Sequence, residues 1–116
     1  FGILQGGAAG YEIDRHDFSK GSPEHSVVVA SSADHSPVYD LMVSSILDTL
    51  PQTGLAEDPI RADMVFFETN NGGAVFSVGS IAWAGSLGHN NYDNNVSKLT
   101  LNVLRRFLDK KKFLND

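Results

Sequence analysis

Residues 64–83 limit the possible fold more than any other stretch. Met64, Val65, Phe66 and Phe67 form a short apolar run of β-formers, and Ala74, Val75, Phe76, Ser77 and Val78 form a second. Between them, Asn70, Asn71, Gly72 and Gly73 tolerate the positive φ that a tight hairpin turn demands. The expectation is a β-hairpin turning across residues 70–73. Neither run alternates cleanly between apolar and polar, which is the pattern of strands buried on both faces in a layered α/β domain. Gly79 and Ser80, then Trp83, Ala84 and Gly85, end the second strand with mostly small residues. Small residues there let another segment approach the backbone closely. A scaffold hairpin with a plain exit fits the same residues.

At 116 residues the chain suffices for one small domain. Its formal charge of -5 argues against a nucleic-acid surface, and its one basic cluster, Lys110, Lys111 and Lys112, suits a helix end. There is no cysteine, hence no disulfide, thiolate metal site or thiol nucleophile, which fits a cytoplasmic protein. No apolar run approaches the ~20 residues that span a bilayer, so no membrane partner is expected. The chain opens on Phe1 with apolar and glycine-rich residues, whereas a natural start is usually polar and loose. The expectation is a C-terminal piece of a longer polypeptide, marginal or oligomeric when isolated.

Residues 1–4 suit the tail of a strand, and residues 5–10 a small-residue loop without a phosphate-binding pattern. Residues 11–17 (Tyr-Glu-Ile-Asp-Arg-His-Asp) are the densest titratable cluster. If extended, Tyr11, Ile13 and Arg15 share one face and Glu12, Asp14 and His16 the other. Neighbouring carboxylates and an imidazole suit acid–base chemistry. A solvated turn, with Asp14 or Asp17 capping backbone amides, suits the residues equally.

Residues 18–24 read as loop. Residues 26–31 read as a strand, and the three valines at 27–29 place it centrally, buried on both faces. The polar residues 31–37 follow its C-terminal end, where open α/β sheets usually bind ligands. Ser, Asp and His adjacent in sequence there are not a triad, which is assembled from separate segments. Residues 38–50 are ambiguous between helix and strand, and residues 51–59 read as loop. Residues 85–95 form a polar loop ending in Asn94 or Asn95 as N-cap. The helix beyond runs from about 95 to 110, with Val96, Leu99, Val103 and Phe107 in helical spacing and Leu101, Leu104 and Leu108 widening the stripe.

Two blocks together resemble a known family. Residues 73–83 (Gly-Ala-Val-Phe-Ser-Val-Gly-Ser-Ile-Ala-Trp) and residues 95–108 resemble the C-terminal end of the large, or beta, subunit of N,N-dimethylformamidase and its relatives. Residues 8–15 (Ala-Ala-Gly-Tyr-Glu-Ile-Asp-Arg) and 28–32 match the same family's preceding block, in the same order. The resemblance covers essentially the whole chain. The Gly-Ser-Ile-x-Trp segment also resembles wider glutamine-amidotransferase-like domains, whereas Gly-Tyr-Glu-Ile-Asp-Arg narrows the match to the dimethylformamidase-like group.

The resemblance implies an amide hydrolase acting on small amides, built on an amidotransferase-like layered α/β domain. It implies a mononuclear iron bound by tyrosines and a glutamate, with those ligands upstream of Phe1 and no metal ligand in this chain. It also implies a small subunit and a homo-oligomeric parent enzyme. Glu12 matches the family's glutamate near the metal and is the candidate general base, expected to be partly buried. Tyr11, Asp14, Trp83 and His89 are further candidates for substrate contact or support of the site.

Two alternatives stand beside this. One is a non-catalytic scaffold or subunit-contact segment of an amidotransferase-like protein. The other is a self-contained metal hydrolase using His16, His35 or His89, whose spacing matches no compact zinc motif.

Overall fold

The computed structural model describes residues 7–35, 39 and 60–113. The expectations for residues 1–4, 51–59 and, Tyr39 apart, 38–50 lie outside the described residues. Strands β1 (Val27–Ser32), β2 (Ala62–Glu68) and β3 (Ala74–Ser77) form an antiparallel sheet in the order β1-β2-β3. Helices α1 (Ala82–Ser86) and α2 (Asn95–Leu108) follow. The mixed α/β architecture with a hairpin and a C-terminal helix is as expected.

The hairpin turn closes on Thr69. Its N–H donates to the Gly73 carbonyl at 2.8 Å, and its carbonyl accepts from Gly72 N–H at 2.9 Å. Gly72 takes φ 79°, the left-handed backbone that glycine adopts without a Cβ penalty. Phe66 pairs with Phe76 and Phe67 with Val75 across the ladder.

Strand β1 departs from expectation. Among the described residues it pairs with β2 alone and lies at an edge of the sheet, with Val27, Val28 and Val29 exposed at 56%, 42% and 51%. A register shift between Val28 and Ala30 leaves Val29 in a bulge. Three β-branched residues in a row dictate extended backbone, but which layers cover a strand is set by tertiary partners. Strand β3 alternates between half-buried and exposed positions instead of being covered on both faces.

Helix α2 begins where the sequence places it. The Asn94 side chain accepts from Ser97 N–H at 2.9 Å and donates to the carbonyls of Leu87 and His89. One amide thereby caps the helix and fastens the loop before it. Val96 is buried and Leu99 and Val103 are half-buried, whereas Leu101, Leu104 and Leu108 are exposed. The helix stops at Leu108, so Lys110, Lys111 and Lys112 lie past its end and its last turn carries Arg105 and Arg106 instead. Arg106 holds the tail by donating to the carbonyls of Lys111 and Lys112 and lying 3.8 Å over the Phe113 ring. Phe113 in turn meets Phe66 of β2 and Phe107 of α2.

Two unforeseen elements lie in and just before the predicted loop at 85–95. One is α1. The other is a 3-10 turn at His89–Tyr92 in which Asn90, Asn91 and Tyr92 take φ of 50°, 53° and 66°. Asparagine tolerates this backbone through local hydrogen bonds, here Asn90 Nδ2 to the Asp93 carbonyl at 3.0 Å.

Candidate functional site

The titratable cluster becomes a ribbon laid across the exit of the hairpin. Asp14 N–H donates to the Gly79 carbonyl at 2.9 Å, Ile81 N–H donates to the Glu12 carbonyl at 3.1 Å, and Asp63 N–H donates to the Asp14 carbonyl at 2.9 Å. Ile13 and Ser80 form an isolated antiparallel bridge. The small residues at the strand end serve the close approach the sequence predicts. A Cβ on Gly79 would lie 2.4 Å from the Asp63 carbonyl oxygen and 3.0 Å from that of Asp14.

Side chains clamp both ends of the ribbon. At one end the Ser80 hydroxyl accepts from Gly10 N–H at 2.9 Å and donates to the Gly10 carbonyl at 3.2 Å. At the other, the Asp63 carboxylate accepts from His16 N–H at 2.8 Å, while Arg61 Nη2 donates to the His16 carbonyl at 3.0 Å. Asp63 is 2% exposed and also accepts from Arg61 Nε at 2.8 Å and from the Ser31 hydroxyl. A carboxylate so deeply buried is tolerable because donors from three segments satisfy it. Asp63, Arg61 and Ser80 were not foreseen. The signals present were a lone carboxylate at the head of an apolar strand and an arginine two residues before it.

Within the ribbon Tyr11 takes φ 62° and Glu12 lies in a bend, so the bridge to the hairpin exit begins only at Ile13. Tyr11 N–H donates to the Tyr39 hydroxyl at 2.7 Å. Glu12 is exposed rather than partly buried, although its carbonyl is bound to the hairpin exit through Ile81 N–H. Asp14 is likewise exposed, and Ile13 and Arg15 are half-buried.

Of the two aspartates offered as caps, Asp17 has the role. Its carboxylate accepts from Ser19 N–H at 2.9 Å, Ser19 hydroxyl at 2.6 Å and Arg15 Nη2 at 2.7 Å. The Ser19 side chain first, then Arg15, hold its pKa down to about 2 from 3.8. A depressed folded-state pKa stabilises the fold above the unfolded value, and that stabilisation disappears as pH falls through the folded value. Between 3.8 and about 2, the parent protein is therefore expected to lose stability that an Asp17→Asn variant never had. Urea midpoints against pH measure this, as a difference between the two proteins that shrinks toward the acid end.

Trp83 sits on α1, and its indole N–H donates to Thr100 Oγ1 of α2 at 3.0 Å. It lines a cleft of about 230 Å³ together with Ala8, Ala9, Ser31, Ser32 and Met64, among others. The alanine loop, the end of β1 and the hairpin exit thus converge on one concavity. Ser80 connects this cleft to the ribbon, since its hydroxyl also accepts from Ala82 N–H at 3.2 Å at the start of α1. Neither Glu12 nor His89 is among the lining residues, and His89 lies exposed in the left-handed turn.

The histidines do not gather. His16 Nε2 lies 2.6 Å from the Ser26 hydroxyl, whose own proton goes to the Pro23 carbonyl, so the ring nitrogen is the donor. His35 Nε2 faces the Ser32 carbonyl at 2.9 Å. Among the described residues no three His, Asp or Glu side chains form a group able to hold a metal ion. Nor is any described helix long and apolar enough to cross a membrane.

Residues 2–94 match the family model described as N,N-dimethylformamidase beta subunit-like, C-terminal. The chain is 48% identical over 110 residues to the N,N-dimethylformamidase beta subunit of Paracoccus aminophilus and 46% identical over 108 residues to that of an Alcaligenes species. Each alignment covers 92% of this chain but only 14% of the relative, so the chain spans about a seventh of their length.

Proposed function

This chain belongs to the N,N-dimethylformamidase beta subunit-like C-terminal family, and from that premise we propose that it forms part of an amide hydrolase cleaving the C–N bond of small N-substituted formamides. Glu12 is the general base. The observation that carries this reading is the Glu12 geometry: its carbonyl is bound by Ile81 N–H, while its carboxylate stays exposed on a ribbon fixed at both ends. A base must be held in place by its backbone and free at its oxygens.

In the step proposed, water adds through oxygen to the formyl carbon and the Glu12 carboxylate takes its proton. The C–N bond then breaks, and that proton leaves with the departing amine. Formic acid and an amine result, and the acid then loses its remaining proton to water as formate.

The family resemblance also brings a mononuclear iron, a small partner subunit, a homo-oligomer in the cytoplasm and an amidotransferase-like layered domain. The resemblance puts the iron's ligands upstream of Phe1, and among the described residues no three His, Asp or Glu side chains gather to hold a metal, so we derive no step through it.

The test is amine release from N,N-dimethylformamide by the full-length polypeptide with its small subunit, alongside iron content. Turnover with iron bound is expected. A folded, iron-loaded complex that leaves N-alkylated formamides intact overturns the reading. One observation favours the alternative of a scaffold or subunit-contact segment, the exposed valines of β1. That alternative predicts full activity after Glu12→Gln and loss of subunit association after charge is placed at Val27.

A further inference from the structure

We propose that Ser80 is a positioning residue that aims Glu12. The inference rests on the general-base reading of Glu12. Ser80 is only 8% exposed, yet its hydroxyl has a complete set of partners. It accepts from Gly10 N–H and Ala82 N–H and donates its one proton to the Gly10 carbonyl. It thereby fixes both polar groups of a glycine, the residue least able to fix itself.

The next residue, Tyr11, occupies the left-handed region at φ 62°. A tyrosine stays in that region only where its surroundings over-determine it. The constraint comes from both sides, with Gly10 held by Ser80 before it and the Glu12 carbonyl held by Ile81 N–H after it. Tyr11 N–H is held as well, by the Tyr39 hydroxyl. Without the Ser80 hydroxyl, Gly10 becomes free to rotate and Tyr11 relaxes toward negative φ. That rotation swings the chain immediately before Glu12 and moves its carboxylate. The same hydroxyl ties the ribbon to α1 and so sets Glu12 relative to the Trp83 cleft.

A double-mutant cycle in the full-length enzyme separates aiming from general structural support, because only coupled residues depart from additivity. Ser80→Ala, Glu12→Gln and the double variant are compared for turnover of N,N-dimethylformamide, KM, bound iron and thermal midpoint. Ser80→Ala alone is expected to lower kcat about 10- to 100-fold, part of the general-base contribution, with KM and iron little changed. In the Glu12→Gln background the same substitution is expected to cost less than about twofold, within ordinary cycle error. Equal losses in both backgrounds overturn the proposal, because Ser80 is then only structural support. So does near-parent turnover by Ser80→Ala. Near-parent turnover by Glu12→Gln alone overturns the base reading itself, and this proposal with it. Should Ser80→Ala not be recovered folded, Ser80→Cys keeps the volume with a weaker donor. It is read in the same cycle against the same criteria.

Discussion

On the proposed general-base reading, Glu12→Gln in the full-length polypeptide is expected to lower turnover of a small N-alkylated formamide by about 10²–10⁴-fold, the usual contribution of a general base. Iron should remain bound. The substitution keeps size and shape but removes the carboxylate oxygen to which the proposal gives the proton. The Glu12 carbonyl, which holds the ribbon to Ile81, is untouched, so folding should be unaffected. Near-normal turnover would remove Glu12 from the mechanism. Loss of iron together with activity would instead make Glu12 a ligand to the metal. Because Glu12 is exposed in this chain, any burial it needs as a base must come from outside the described residues.

The largest stability loss is expected from Gly79→Ala. Its new Cβ would lie 2.4 Å and 2.9 Å from main-chain atoms of Asp63 and 3.0 Å from the Asp14 carbonyl, none of which belongs to a flexible side chain. The backbone at φ +62° adds the cost of holding an L-residue in the left-handed region, about 1–2 kcal/mol. Overpacking adds typically about 1–3 kcal/mol, so a total of about 3 kcal/mol is expected from urea unfolding. Two other glycines apportion the effect. Gly21 has φ +96° with nothing within 4 Å, so Gly21→Ala should show the backbone cost alone. Gly88 has φ -73° and open space, so Gly88→Ala should fall within about 0.5 kcal/mol of the parent. A Gly79→Ala loss no greater than that of Gly21→Ala would mean that ribbon and strand separate easily at this contact.

The elements legible in the sequence were those written in local periodicity. The valine run, the Asn/Gly turn and the Val96–Leu99–Val103 spacing each act within a few residues, and each became the expected element. The close approach at the hairpin exit was legible too, because only missing side-chain volume permits it. The environment of β1 was not. Apolar composition says that a strand can be covered and leaves open which neighbour covers it. The Asp63 cluster was equally hidden, since its donors come from residues 16, 31 and 61, and no spacing rule links them. Residues 11–17 divided in two. Their chemistry was readable, but the left-handed Tyr11 and the exposed Glu12 go with contacts to residues 28 to 70 positions away.

Those distances bear on how the fold is reached. The Gly10–Ser80 hydrogen bonds close a span of 70 residues, and the His16–Asp63 bond one of 47. The hairpin, by contrast, closes around a handful of residues at Thr69–Gly73. Loop-closure entropy comes before the contacts that repay it. The hairpin can therefore nucleate early, while the ribbon docks only once a surface exists to receive it. In reverse, local opening releases the ribbon while the hairpin persists. The geometry around Glu12 is thus assembled last and surrendered first.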